Sequence, residues 1–340
     1  MFRSFSLPST WFRLLLMTMS VPTAVTSVST AAEIRVGMVG LDTSHATAFT
    51  KLMNDSTAKG YTPGTKVVAA VKGGSRDIPS SWDRVEGYTQ ELIQTYGVEM
   101  VPTVEELCRK VDAVMIESVD GRPHLEQARP AFQAGKKLFI DKPLAGSLRD
   151  AIEIYRLGKR TRVPWFTSSS YRFYLSMADV RKANIGAIRS AISYGPSHKE
   201  PHHPDFYWYG IHPAEALYTI LGRGCEVVTR SATEETDVVT GTWSEGRTGV
   251  LVGLRTGATP HKVIVFGRQG VAEQKGSGDY APLVAEIVKF FQTGVPPIPP
   301  EETIELMAFM EAADESKRQG GRPVKMEDVL RQHGWRFDAE

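Results

Sequence analysis

"MVGLDTSHATAF", residues 38–49, is the stretch on which the fold turns. An apolar run ends at Gly40 and a segment of helical periodicity follows, the strand–turn–helix opening of a dinucleotide-binding unit. The spacing departs from G-x-G-x-x-G, because Asp42 and His45 stand where the second and third glycines belong. Asp42 admits two readings. A carboxylate about 5 Å from a pyrophosphate charge, at an effective dielectric near 20, costs about 3 kcal/mol, so Asp42→Gly is expected to raise nicotinamide affinity. Alternatively, Asp42 bonds the first amides of the helix and fills the anion position itself.

Outward from this turn, strands and helices alternate. "EIRVGMVG" (33–40) reads as a buried strand, and 43–55 as a helix opened by Thr43 or Ser44. "TKVVAAV" (65–71), "VDAVMIES" (111–118), "KKLFIDKP" (136–143) and "VPWFTSSSY" (163–171) continue the strands. Between them come helices ended by Gly97 and Gly135, and one opened by a capping box of Ser147 and Asp150. Strict alternation implies a parallel sheet covered on both faces. After Tyr171 the runs at 186–195, 226–233, 237–257 and 261–267 are β-rich, with one helix from His212 to Leu221. They predict a mainly antiparallel open sheet in an α+β domain. Leu283, Ile287, Phe290 and Phe291 share a helical face, and 301–318 is a long amphipathic helix halted by Gly320 and Gly321.

The expected organisation is therefore α/β. A doubly wound Rossmann-type domain spans 32–170, an α+β substrate and oligomerisation domain spans 171–300, and a helix and tail at 301–340 pack back on the core. A length of 340 residues suits two domains. Residues 1–31 read as a secretory signal peptide: Arg3 and Arg13 precede the apolar run Leu14–Val25, and Ser29 and Ala31 sit at positions −3 and −1 of a cleavage site. The mature protein is then exported, periplasmic or extracellular; a misassigned start would leave it cytoplasmic. Without the two arginines the 40 basic residues become 38 against 39 acids, which argues against nucleic acid or an anionic membrane as partner. Cys108 and Cys225 fall in different domains and are expected to be separate thiols.

Two stretches carry chemistry. "GKKLFIDKPLAGS" (135–147) puts Lys142 at the carboxyl end of a parallel strand, where α/β proteins bind ligands. "WYGIHPAEALYTILG" (208–222) puts His212 at a helix start with Glu215 one turn on. With "VGMVG", "HLEQARPAFQAGKKLFIDKPLA" and "YAPLVAEIVKFFQTGVPP", these stretches resemble the Gfo/Idh/MocA family over nearly everything after residue 31. That resemblance implies a Rossmann domain paired with an open-sheet α/β domain, and hydride transfer between a nicotinamide and a sugar or polyol. It implies that Lys142 hydrogen-bonds the reacting oxygen and His212 is the general base, with Asp141 in place of the family glutamate and Glu215 where the family often has aspartate. Many members carry an aspartate four residues before the histidine; here Trp208 stands there, and Asp205 is the substitute expected.

The cofactor site is expected to comprise Gly40, Asp42, Thr43, Ser44, His45, His124, Asp141 and Lys142, with Lys72, Ser75 and Arg76 of "KGGSR" (72–76) suited to a 2′-phosphate. This favours NADP, with NAD as the other possibility. For substrate, His203, Tyr207, Trp208, Tyr209 and Glu215 are the candidates, the aromatic rings stacking on a sugar face. His198, His202, His203 and His212 lie within fifteen residues, but Pro201 and Pro204 break the helix that would align them, so no metal is expected. The chain thus reads as a nicotinamide-dependent oxidoreductase acting on a sugar, polyol or sugar derivative, working as a homo-oligomer. The other readings are a nicotinamide-assisted glycoside hydrolase of the same family and a non-catalytic carbohydrate-binding relic.

Overall fold

The computed structural model describes residues 1–5 and 32–335, so the export signal read at 1–31 lies largely outside the described residues. From residue 33 onward the chain forms one compact unit. Its first half runs β1 (Ile34–Val39), α1 (Ser44–Asn54), β2 (Thr65–Val71), α2 (Pro79–Trp82), α3 (Val85–Tyr96) and β3 (Glu99–Met100). It continues with α4 (Val104–Lys110), β4 (Ala113–Ile116), α5 (His124–Gln133), β5 (Lys137–Ile140), α6 (Leu148–Thr161) and β6 (Trp165–Thr167). All six strands are parallel, in the order β3-β2-β1-β4-β5-β6. This is the doubly wound Rossmann order, with its topological switch between β1 and β4.

Local chemistry explains the boundaries. The side chain of Thr43 accepts from the His45 amide and caps α1, Ser147 Oγ accepts from the Asp150 amide and caps α6, and Gly97 closes α3 in the left-handed region. β3, only two residues long, has no periodicity to read, and it is the one strand of this sheet that the sequence pattern does not reveal.

The second half runs α7 (Leu175–Lys182), β7 (Ile188–Pro196), α8 (Ile211–Leu221), β8 (Cys225–Ala232), β9 (Thr236–Trp243), β10 (Thr248–Leu254), β11 (Lys262–Gly267) and β12 (Val271–Glu273). Then come α9 (Ala281–Thr293), α10 (Pro300–Arg318), β13 (Val324–Lys325) and α11 (Met326–Gln332). The second sheet has the order β12-β11-β7-β10-β9-β8-β13 and is antiparallel except where β7 meets β10. Burial alternates along β9, β10 and β11, so one face takes the packing. α8 and α10 supply that packing, with Phe309 of α10 set against Trp243 and Tyr218.

One helix returns to the first sheet. The apolar face Leu283, Ile287, Phe290 and Phe291 of α9 is buried with Phe49, Phe139 and Phe166 against the parallel strands. The chain therefore crosses back before residue 300, because this face is too apolar to stay in water and the parallel sheet has a face to cover. Cys108 and Cys225 are both buried free thiols. Among the described residues, no helix is long and apolar enough to cross a membrane.

Candidate active site

The carboxyl ends of β1, β4, β5 and β6 border a cavity of about 460 Å³. Its wall includes Thr43, Ser44 and His45 at the start of α1, Lys142 after β5, and Trp208, Tyr209 and His212 from the segment entering α8. Arg84, His198 and His261 complete the basic lining, and none of the described residues lining the cavity is a carboxylate. The two stretches expected to carry chemistry thus meet in one place, although 70 residues separate Lys142 from His212.

Lys142 is buried except for its cavity face, and its ammonium lies 5.5 Å from the centre of the Tyr209 ring. His212 is half-buried, and its Nδ1 lies 2.7 Å from Ser169 Oγ, just beyond β6. Burial first, then the Lys142 ammonium, holds the imidazole well below its usual pKa, so His212 is neutral at pH 7. Ser169 Oγ already accepts from the Tyr171 amide. A neutral imidazole donating its Nδ1–H to the same oxygen keeps Nε2 free as a base. Ser169 holds the His212 ring and was missed by sequence reasoning; the serine run "TSSSY" at a strand end is the signal that could have found it.

Asp205 does not serve His212. It is paired with Lys317 at 2.5 Å, Arg230 at 2.9 Å and Lys199 at 3.2 Å, and these cations hold its carboxyl well below the ordinary range despite its burial. Glu215, expected to meet substrate, is 3 % exposed and accepts from Ser168 Oγ, the Ser169 amide and Arg172 Nε at 2.6–2.8 Å. Tyr207 is fully buried beneath α10, so it is no stacking platform either. Of the aromatic run, Trp208 and Tyr209 reach the cavity. His203 lies behind the wall, its ring tilted against Trp208 and its Nε2 2.9 Å from Asp120. His124, expected at the cofactor, is fully buried between the carbonyls of Ser118 and Leu144, and burial keeps its ring neutral.

The glycine turn differs from either reading of Asp42. Its carboxylate is 0 % exposed and accepts from Ser81 Oγ at 2.6 Å and the Val119 amide at 3.0 Å, neither of them an α1 amide. Gly40 has φ +85°, and a Cβ there would sit 2.2 Å from Ser118 Oγ; a Cβ on Gly73 would sit 2.9 Å from Gly40 Cα. Residues 72–84 form a strap over the turn. Ser75 bonds Asp120, Arg122 grips both Asp77 and Asp120, and Ile78 packs on Val119 and Trp208. Lys72 pairs with Glu86, and Arg76 lies over the Trp82 ring. The groups expected to read a 2′-phosphate are therefore engaged by neighbours within the strap, in α3 and in the loop after β4.

A dinucleotide approaches such a domain over the first turn, with its pyrophosphate at the helix N-terminus. The reactive end fits here: Lys142, His212 and the α1 N-terminus with exposed Ser44 share the cavity. The remainder of that path is filled by Asp42 and the strap.

Below the cavity floor lies a cluster of buried polar groups. His45 Nδ1 is 2.6 Å from Asp141 Oδ2 and 3.9 Å from Glu117 Oε2. Glu117 is 0 % exposed, and burial, reinforced by the Asp141 charge, pushes its carboxyl well above the ordinary range.

Residues 34–168 match the sequence model of the Gfo/Idh/MocA group, described as an oxidoreductase family with an NAD-binding Rossmann fold. No curated protein matches the sequence. Solved structures share the fold at low identity. A probable dehydrogenase from Thermotoga maritima is 21% identical with a TM-score of 0.70, covering 87% of this chain and 100% of its own. Myo-inositol 2-dehydrogenase from Lactobacillus plantarum is 17% identical with a TM-score of 0.72, covering 86% and 99%. Myo-inositol dehydrogenase from Lactobacillus casei, solved with NAD(H) and myo-inositol, is 16% identical with a TM-score of 0.70, covering 86% and 97%. Residues 34–168 are thus similar to the Gfo/Idh/MocA oxidoreductase family, and the chain shares the fold of these solved dehydrogenases.

Proposed function

We propose that this protein oxidises or reduces a small hydroxylated compound, a polyol, sugar or sugar acid, in the cavity shared by Lys142 and His212. The observation that carries the reading is their convergence beside the α1 N-terminus, in a chamber whose described lining includes Lys142, Arg84 and four imidazoles but no carboxylate. Such a lining favours the acidic members of the class, because Lys142 and Arg84 face the ligand with no counter-charge on the wall.

A nicotinamide, when bound, supplies the hydride acceptor or donor. Lys142 stabilises negative charge on the reacting oxygen, and His212, held by Ser169, takes the hydroxyl proton at Nε2. Thr43 and Ser44 at the start of α1, with Lys142, would hold the reactive end. We take the cofactor to be NAD, since Ser75 and Lys72 are bound to acidic neighbours and Arg76 to Trp82. The reading treats residues 1–31 as an export signal, so the cofactor has to be retained through the cycle.

Burial of the glycine turn favours a second reading, a carbohydrate-binding protein whose cofactor path is filled. One experiment separates the two: titrate NAD(H) and NADP(H) calorimetrically, then assay polyols, sugar acids and aryl glycosides by nicotinamide absorbance and product release. Lys142→Ala is expected to lower turnover about a hundredfold, and His212→Ala by ~10²–10⁴-fold, with cofactor affinity spared. Absence of heat with either nucleotide selects the binding-protein reading. Preference for NADP(H) returns Lys72 and Arg76 to the site, and aglycone release without net reduction selects hydrolysis.

A further inference from the structure

His45, Glu117 and Asp141 approach one another from three elements, the first turn of α1 and the carboxyl ends of β4 and β5. Their ligand atoms lie within 4.8 Å of one another, and all three residues are buried. The cluster is short of donors. His45 Nδ1 carries one N–H at most and spends it on Asp141 Oδ2. Both oxygens of Glu117, and Asp141 Oδ1, have no hydrogen-bond partner among the described residues. The nearest lysine does not fill the gap, because the Lys142 ammonium lies over Tyr209. Buried carboxylates without donors are costly, and each calls for a physical reason.

We propose that His45, Glu117 and Asp141 form a binding site for one divalent cation of the zinc class. One imidazole nitrogen and two carboxylates are a hard-to-borderline donor set, and three protein ligands leave a fourth position for water or substrate. A tetrahedral ion at about 2.1 Å from each ligand spaces them about 3.4 Å apart, so the 2.6 Å contact opens and the longer ones close by roughly an ångström. The imidazole is already oriented, stacked on Phe49 at 4.8 Å and met edge-on by Tyr280 at 4.8 Å. His45 also lines the cavity, so the ion would stand directly behind the wall that faces substrate. The third glycine of a dinucleotide turn lets helix and strand pack closely; here His45 occupies that place and reaches the strand ends.

The test is independent of turnover. Chelator-stripped full-length protein is titrated with Zn²⁺ at pH 7 in a calorimeter, and with Co²⁺ while the visible spectrum is recorded. One saturable equivalent is expected, with the visible bands of low-coordinate Co²⁺. Glu117→Gln and His45→Gln should each weaken Zn²⁺ at least about tenfold, whereas His202→Ala, at an exposed imidazole, should not. No saturable Zn²⁺ binding by the folded wild-type protein overturns the proposal. So does binding abolished by His202→Ala and untouched by Glu117→Gln. Should a variant fail to fold, the wild-type Co²⁺ spectrum decides: bands of an octahedral hydrated ion alone count against the site.

Discussion

Asp42 accepts from Ser81 and from the Val119 amide, two buried donors. Asp42→Gly therefore does more than clear a path for phosphate. It leaves a buried hydroxyl and a buried amide unpaired and is expected to destabilise the protein by on the order of 3 kcal/mol, read as a lower urea midpoint at unchanged m-value. A variant as stable as wild type would mean that the strap re-forms without this anchor. Lys142 and His212 were legible in the sequence because each sits in a distinctive local pattern. Ser169, Glu117 and the pairing of Asp205 with Arg230 and Lys317 were not, since these contacts arise only when segments more than 20 residues apart are folded together.

The strap at 72–84 is the element that most changes the reading of the chain. As sequence, "KGGSR" is a glycine-containing basic loop, and its composition is the same whether it binds phosphate or its own protein. What decides is the acidic loop after β4, whose Asp120 takes Ser75 and Arg122, while Asp77 takes the other edge of the same guanidinium. Burial alone would raise the Asp120 pKa; hydrogen bonds from His203, Arg122 and Ser75 outweigh it and hold the carboxylate ionised. Arg122→Ala releases both grips. Trypsin should then cut within 72–84 several-fold faster, and NAD(H) affinity should rise if the strap is what bars the pyrophosphate. Unchanged proteolysis and unchanged affinity together would show that Ile78 and Asp42 hold the strap without help. Long helices and strands declared themselves by periodicity, but α2 and β3 are too short to have a period.

At the scale of the molecule, Arg230 on β8 joins parts far apart in sequence. Fully buried, it contacts Asp205, Asp237 and Asp314, with its guanidinium 4.3 Å from the centre of the Phe206 ring. Arg230→Met removes one buried cation from three carboxylates and is expected to cost roughly 3–5 kcal/mol, measured by denaturant unfolding. A loss below about 1 kcal/mol would show that Lys317 and Arg255 neutralise the cluster unaided. The alternation of strands and helices made the parallel sheet readable from sequence. The return of α9 to that sheet was not, since an apolar helical face does not say which surface it will cover.

Glu215 has a mechanical consequence. It rides on α8, against the second sheet, yet its carboxylate is fastened to Ser168, Ser169 and Arg172 just past the last parallel strand. His212, one turn earlier on α8, is tied to the same serine. Any hinge bending between the sheets must leave this joint intact or break three short bonds at once. His212 is thus fastened to the end of the same parallel sheet that carries Lys142, so in the proposed reaction the spacing of the two is set by that joint and not by the outer strands β11 and β12.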